Sequence, residues 1–531
     1  VRLVSTLLLC SLSTYGQVSV LTYHNDLART GQNLNETILT PSTLRSRQFG
    51  QLFTEAVDGQ IYAQPLYLPG VNIPGKGVYN VVFVATEHDS VYAFDADGNS
   101  SGPLWHVNFT NPTLGITPAS ADGLQCVAIA PEVGITGTPV IDAATGTLYV
   151  VAMTLEYYAD NYVQRLHALD LTTGAERPGS PVEIQASTPG TGDGNTTVKF
   201  KPGLYKQRPG LLLLNGVVYT AWSSHCDAGR YHGWLIGYDA KTLQQVSLYV
   251  DTPNWDAGSF WQSGAAPAAD AEGNIYVAAG NGTFDTNLGG SDLAESIIKL
   301  SAAKGLSVAD YFTPFNSTLL SEKELDLGSS GVLLLPDGAG SPAHPHLAVT
   351  GSKEGQIYVV DRDNMGHFQA GSDSQIVQSL TSAVGPLFGI PVYFNSTVYF
   401  SGAGDRLKAF SIADGLLSAQ PVSQTSVAFA FPGTVPSISA NGSVGGIVWL
   451  IDSTGELRAF DAVNLVNELW HANIGGYIKF STPTIANGRV YVGTTTSLVV
   501  FGLGNERRKR LAQGNPKHRA SLRAGSGLSV P

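Results

Sequence analysis

The stretch Val81-Val82-Phe83-Val84-Ala85-Thr86, Glu87-His88-Asp89, Ser90-Val91-Tyr92-Ala93-Phe94-Asp95-Ala96 reads as a strand, a tight turn and a second strand ending in Asp. Its β-branched and aromatic residues suit a pleated surface, and the polar triplet between them suits a turn. The frame returns near the other end of the chain. There Gly446-Ile447-Val448-Trp449-Leu450-Ile451 leads through Asp452-Ser453-Thr454-Gly455 to Glu456-Leu457-Arg458-Ala459-Phe460-Asp461-Ala462. Each copy is followed by a Trp-His pair, Trp105-His106 and Trp470-His471. The end of the second strand recurs at Asp95, Asp170, Asp239, Leu300, Asp361, Ser411, Asp461 and Gly502, with gaps that shrink along the chain. Most units carry Pro ahead of the hairpin: Pro65, Pro139, Pro209, Pro267, Pro391, Pro436 and Pro483. Proline cannot donate to a ladder, so it belongs at strand starts and edge strands.

Four short strands per unit, repeated about eight times without helical periodicity, predict an all-β fold: an eight-bladed β-propeller of four-stranded antiparallel blades. The last unit, residues 482–503, stops after three strands. The segment Phe49-Gly50-Gln51-Leu52-Phe53-Thr54-Glu55-Ala56 looks like the missing one. The ring is therefore expected to close through an N-terminal strand, residues 49–57, which removes two open sheet edges. Two stacked β-sandwiches are the competing fold, and eight similar units with no linker argue against them. The wider spacing of the first half predicts long loops gathered on one face.

Composition agrees. Charged residues are 14% of the 531, against roughly 25% in an ordinary soluble domain, and there are 60 Gly. The apolar run at residues 3–12 follows Arg2 and precedes small residues. It is expected to be a signal peptide, 1–16, so the protein is read as secreted or periplasmic. No other segment predicts a transmembrane helix. Residues 17–48 form an N-terminal extension expected to pack across one face, 49–503 the propeller, and 504–531 a basic tail. That tail holds seven Arg and Lys against Glu506, so the body is more acidic than the chain's net −12. So acidic a body repels phosphate backbones and excludes nucleic acid as a natural partner. Cys126 and Cys226 either pair or stand as two separate buried thiols. Eight Asn-x-Ser/Thr sequons matter only where secreted proteins are glycosylated.

The repeat resembles the pyrroloquinoline quinone (PQQ) repeat, in which a strand with Val-Tyr leads to Ala-Phe-Asp-Ala-x-Thr-Gly and then Trp. Leu169-Asp170-Leu171-Thr172-Thr173-Gly174 and Tyr238-Asp239-Ala240-Lys241-Thr242 fit it. The resemblance covers roughly residues 49–503. It embraces quinoprotein alcohol dehydrogenases and non-catalytic relatives such as outer-membrane assembly lipoproteins. For the catalytic members it implies a calcium ion and PQQ on the channel face. On that implication Asn281, in Ala278-Ala279-Gly280-Asn281, and Asp227 would ligate the metal. Asp326, in Leu325-Asp326-Leu327-Gly328, would be the catalytic base. Lys353, in Gly351-Ser352-Lys353-Glu354-Gly355, would contact the quinone, with Trp261 nearest the floor position expected at Ser263. These types make chemical sense together. Calcium takes hard oxygens, a quinone carbonyl needs a cation or donor, and hydride transfer needs a base.

The chain departs from that pattern. The adjacent Cys pair of the alcohol-oxidising members is absent, most outer-strand Trp are lost, and no Cys-x-x-Cys-His marks a haem. Asn281-Gly282 and Lys353-Glu354-Gly355 also read as simple turns, and Asp326 as part of a solvated loop. His225-Cys226-Asp227 with His232 matches no standard zinc spacing. The first reading is thus a binding or scaffold propeller for an unknown protein or small-molecule ligand. The alternative is a PQQ- and calcium-dependent alcohol or sugar dehydrogenase, with a lyase or hydrolase at the channel mouth a third.

Overall fold

The computed structural model describes residues 18–46, 48–157 and 161–504. The expected signal peptide and the basic tail lie outside the described residues, apart from Gly504. Eight mainly antiparallel sheets follow one another in chain order as the blades of a propeller. Their innermost strands begin at Leu66, Val140, Leu212, Ala268, Leu333, Val392, Ser437 and Thr484. Every recurrence noted in the sequence falls in the third strand of its blade, from Ser90–Asp95 in blade 1 to Ser497–Leu503 in blade 8.

The Asp at the end of that strand turns the chain. Asp95 accepts the backbone N–H of Asp97 at 2.9 Å and of Asn99 at 2.8 Å. Asp170, Asp361 and Asp461 likewise accept the N–H two residues on. These are turns closed by the side chain itself. A second device joins blade to blade. The second-strand tyrosines Tyr149, Tyr399 and Tyr491 donate their hydroxyls to the carbonyls of Ala240, Ala462 and Ala96 in the next blade. Each acceptor directly follows a third-strand Asp. The core is correspondingly a ring of interfaces between neighbouring blades. One cluster joins Tyr491 and Val500 to Val82 and Phe94, and another joins Trp449 and Leu457 to Val490 and Phe501.

Phe49–Ala56 pairs antiparallel with Ser497–Leu503, Phe49 opposite Leu503 and Ala56 opposite Ser497. Blade 8 is completed by a strand from the start of the propeller. Phe49 packs 5.8 Å from the Trp449 ring and edge-on at 4.8 Å to Trp470.

The long insertions at 109–139, 184–208, 225–232, 251–265, 280–295 and 313–331 all connect the second strand to the third, or the outer strand to the next blade. Both kinds of connection emerge on the same face. The insertions at 335–346 and 362–377 emerge on the other.

The N-terminal extension does more than lie across a face. It passes over the end of the channel opposite those insertions and meets the inner strands nearly in ring order. Val20 pairs with Tyr67 of blade 1, and Leu21 accepts from Ile141 of blade 2. Leu27, Ala28, Thr30 and Gly31 accept from Ala269, Leu334, Tyr393 and Ile438 of blades 4 to 7. Glu36 accepts from Gly488 of blade 8. Arg29, fully buried, donates twice to the Pro267 carbonyl and also to Thr22, Tyr23 and Asp26. Arg29, Asn33 and Glu36 of this segment are therefore buried hydrogen-bonding groups, whereas both ring nitrogens of the buried His24 lack partners. A Cβ at Gly31 would come within 2.5 Å of Val392, and its φ of +69° lies in the left-handed region that favours glycine.

Phe49→Ala is expected to lower unfolding free energy by about 3–5 kcal/mol, the range for a buried Phe, as read by urea denaturation. A loss below about 1 kcal/mol would mean the closing strand contributes little.

Candidate functional site

Each link from an outer strand to the next inner strand ends at the channel mouth on the insertion face, where Trp261 and Asp326 sit; Asp227, Asn281 and Lys353 lie on turns between second and third strands, on the same face. Trp261 lies on the link into blade 4, Asp326 on that into blade 5, Phe388 on that into blade 6 and Phe480 on that into blade 8. Lys353 occupies the turn between Leu347–Gly351 and Ile357–Asp361.

Lys353 Nζ is 2.7 Å from Asp326 Oδ2. The same ammonium lies 5.7 Å from the centre of the Trp261 ring and 5.9 Å from that of Phe388, within cation–π range. The two backbones also meet, Lys353 N–H donating to the Asp326 carbonyl. Gly280, the neighbour of Asn281, packs against the Asp326 link. A Cβ on Gly328 would meet the Gly280 nitrogen at 2.3 Å, so only glycine permits that approach. Asn281 Oδ1 and Asp326 Oδ1 are buried without a hydrogen-bond partner. Burial pushes the Asp326 carboxyl up, Lys353 pulls it down, and the Asp227 charge pushes it up again.

The structure thus brings Asp326, Lys353 and Trp261 together, with Asn281 beside them. Asp227 lies on the turn after Val217–Ser224 of blade 3. It is exposed, and its Oδ1 accepts the Ser224 hydroxyl at 2.9 Å. Tyr231 connects it to the others, since burial and the charges of Asp227 and Asp326 all raise that phenol. Cys126 and Cys226 form a disulfide across 100 residues, with Cα atoms 5.5 Å apart. It ties the insertion before blade 2 to the turn in blade 3 that carries Asp227.

Residue-by-residue reasoning missed Glu295. It is buried, its Oε2 accepts the Leu327 N–H at 2.8 Å, and its Oε1 has no partner. Burial and the adjacent Asp326 hold it well above the usual carboxylate range. Its signal was an acid set between Ala294 and the apolar strand Ile297–Ser301. Also missed were Lys206 and Arg208, which precede the inner strand of blade 3, and Glu87 on the blade 1 turn.

Among the described residues no three His, Cys, Asp or Glu side chains gather closely enough to hold a metal by themselves. The unpartnered oxygens of Asn281, Asp326 and Glu295 nevertheless suit a hard cation that completes its shell with water. The rings suit a planar quinone less well. Trp261 stands at 75° to Phe388 and 87° to Phe480, so these neighbours do not form a parallel-faced slot.

No family model matches the chain, and no curated protein matches it. Solved structures do. A quinohemoprotein alcohol dehydrogenase from Comamonas testosteroni superposes with a TM-score of 0.60 at 14% identity, over 92% of this chain and 81% of that one. The quinohemoprotein alcohol dehydrogenase ADHIIG from Pseudomonas putida HK5 gives 0.59 at 12%, over 92% and 80%. BamB from Moraxella catarrhalis gives 0.49 at 14%, over 86% and 98%. The chain has the PQQ-like eight-bladed propeller fold of the two dehydrogenases. Among the described residues no helix is long and apolar enough to cross a membrane.

Two outcomes follow from this geometry. Glu87 is buried, and burial raises its carboxyl to about 7 although Gly134 N–H and Thr136 Oγ1 bond it. An acid raised on folding holds its proton more tightly in the folded state. Stability should therefore fall as pH rises from about 4.5 to about 7, by on the order of 3 kcal/mol. Glu87→Gln is expected to flatten that part of the profile in urea titrations, and an unaltered slope would refute the assignment. Replacing Cys126 and Cys226 with Ser is expected to cost about 2–5 kcal/mol, read by the same method.

Proposed function

We propose that this PQQ-like propeller is a secreted ligand-binding module that holds a hard cation at the channel mouth. One observation carries the reading. Asn281 Oδ1, Glu295 Oε1 and Asp326 Oδ1 are buried without partners on segments that touch one another. Buried carboxylate oxygens left unpaired are costly, and a coordinated cation would supply the missing interaction. Asn281 and Asp326 would hold it with Glu295, and Asp227 would lie beside the entrance. Lys353 neutralises the outward oxygen of Asp326 and keeps that carboxylate oriented.

The second reading, a PQQ- and calcium-dependent dehydrogenase, draws on the Asp326–Lys353 pair, a carboxylate and an ammonium 2.7 Å apart at the mouth. PQQ would bring redox chemistry, with Lys353 and Trp261 its nearest contacts. The perpendicular rings weigh against it, as does a disulfide that joins distant loops instead of adjacent cysteines.

Calorimetric titration with calcium, supported by terbium luminescence excited through Trp261, tests the first reading. Binding is expected, weakened about tenfold or more by Asn281→Ala and by Glu295→Gln. No heat and no luminescence would overturn it. PQQ added with calcium is expected to leave the visible spectrum of the quinone unchanged. Tight quinone binding that Asn281→Ala abolishes would favour the dehydrogenase instead.

A further inference from the structure

Beside Phe480, whose ring centre is 5.6 Å from that of Trp261, and on the adjoining Lys206–Arg208 segment, three basic side chains stand without an ion-pair partner among the described residues. Lys206 is 6% exposed and Arg208 3%, while Lys479 is half-buried at the rim. The Arg208 guanidinium lies over the rings of Tyr62, at 5.5 Å, and Phe480, at 5.6 Å. Lys479 Nζ is 5.9 Å from the same Phe480 ring. Among the described residues no carboxylate comes within ion-pair distance of any of the three. The charge of the buried Glu87 reaches Lys206 and Arg208, but its Oε2 accepts from Gly134 and Thr136.

The cluster is unfavourable as it stands. Arg208 Nη2 is buried with no hydrogen-bond partner. Burial first, and then the charges of Arg208 and Lys479, lower Lys206 to about 8, against only partial relief from Asp227 and Glu87. Taking cations out of water without pairing them costs several kcal/mol each. Packing alone does not require such residues, since Met or Leu would fill the same volume without that cost.

Polar groups without partners lie on the same or paired segments as the cations. Ser223 faces Lys206 across the pair formed by Tyr205–Lys206 and Val217–Ser224, and its hydroxyl is buried and unbonded. The Tyr477 hydroxyl, two residues before Lys479, is also buried and unbonded. Tyr62 and Phe480 supply apolar ring surface beside them.

We propose that Lys206, Arg208 and Lys479 form an oxyanion site that takes a small polyhydroxy acid of the acidic-sugar class. The three cations receive the carboxylate or phosphate head. Ser223 and Tyr477 meet ligand hydroxyls, and the rings of Tyr62 and Phe480 cover the carbon skeleton. Arginine's planar fork suits a two-oxygen head, and the lysines act as point charges beside it. This rests on the binding reading and names its ligand class, but does not require the cation.

The test is calorimetry and thermal shift on the full chain with D-glucuronate, D-glucose 6-phosphate, D-glucose and sodium sulfate. D-glucuronate is expected to bind with a Kd below about 1 mM, and D-glucose not to bind. Lys206→Met and Lys479→Met should each weaken binding about tenfold or more while circular dichroism stays native. The lysines are chosen because replacing the buried Arg208 risks the fold. Binding of the sugar phosphate in place of the uronate keeps the site and assigns its head group. Sulfate binding without either sugar acid overturns the polyhydroxy class. No binding by any probe, or binding that both Met variants leave unchanged, overturns the site. Calcium titration of Lys206→Met separates the two proposals, since cation binding at Asn281 and Asp326 should survive that change.

Discussion

Everything in this molecule depends on closing a ring. Eight sheets arranged around an axis leave two open edges unless the ends of the chain meet, and Phe49–Ala56 against Ser497–Leu503 is where they do. Without that pairing blade 8 exposes a strand edge, and the inner strands lose the fixed radius that defines the channel. The N-terminal extension depends on the same closure, because it touches blade 1 through Val20 and blade 8 through Glu36 within one short stretch. A ring sprung open by one strand could not satisfy both contacts.

The closed ring also explains why the site lies where it does. Tyrosine hydroxyls tether neighbouring blades on the face where the third strand ends, as Tyr149, Tyr399 and Tyr491 show. Connections there are mostly short and committed to holding the scaffold together. The opposite face carries the links between blades, and these were free to lengthen. They direct Trp261, Asp326, Phe388 and Phe480 towards one mouth. The disulfide from Cys126 to Cys226 spans two of the longer excursions, adding covalent support where strand pairing is sparse.

The blade repeat was legible because its signals are local. A period-two strand, an Asp turn and a second strand lie within some fifteen residues of one another, as at 81–96. The closing strand was legible because the last repeat is visibly one strand short. The candidate site was legible only in part. Asn281 and Lys353 adjoin the turn between second and third strands and Asp326 lies on the link into blade 5, and local resemblance to the dehydrogenase segments singled them out. Glu295, Lys206 and Arg208 became notable only when burial was known. Lys206-Gln207-Arg208-Pro209 reads as an ordinary polar approach to a strand, and nothing local reveals that it faces a channel. Likewise the segment at 17–48 looked like surface because its composition is polar. Its backbone carbonyls, with the side chains of Arg29, Asn33 and Glu36, bond the backbones of the inner strands and their approaches, which only the closed ring brings within reach.

The mouth combines two opposed electrostatic demands. The chain as a whole is negative, at −12, and its long-range field favours cations and discourages anions. That field is screened within about 10 Å at moderate salt, however, while interactions between desolvated charges are much less screened. Lys206 and Arg208 are buried and therefore act at short range, on a group already inside the channel. Asn281, Glu295 and Asp326 form an oxygen-rich wall, with Lys353 pairing only one oxygen of Asp326. The two demands would be met by separate groups, a cation at the oxygens beside Asp326 and an acidic head at the lysines, because complementary charge contributes specificity where water is displaced.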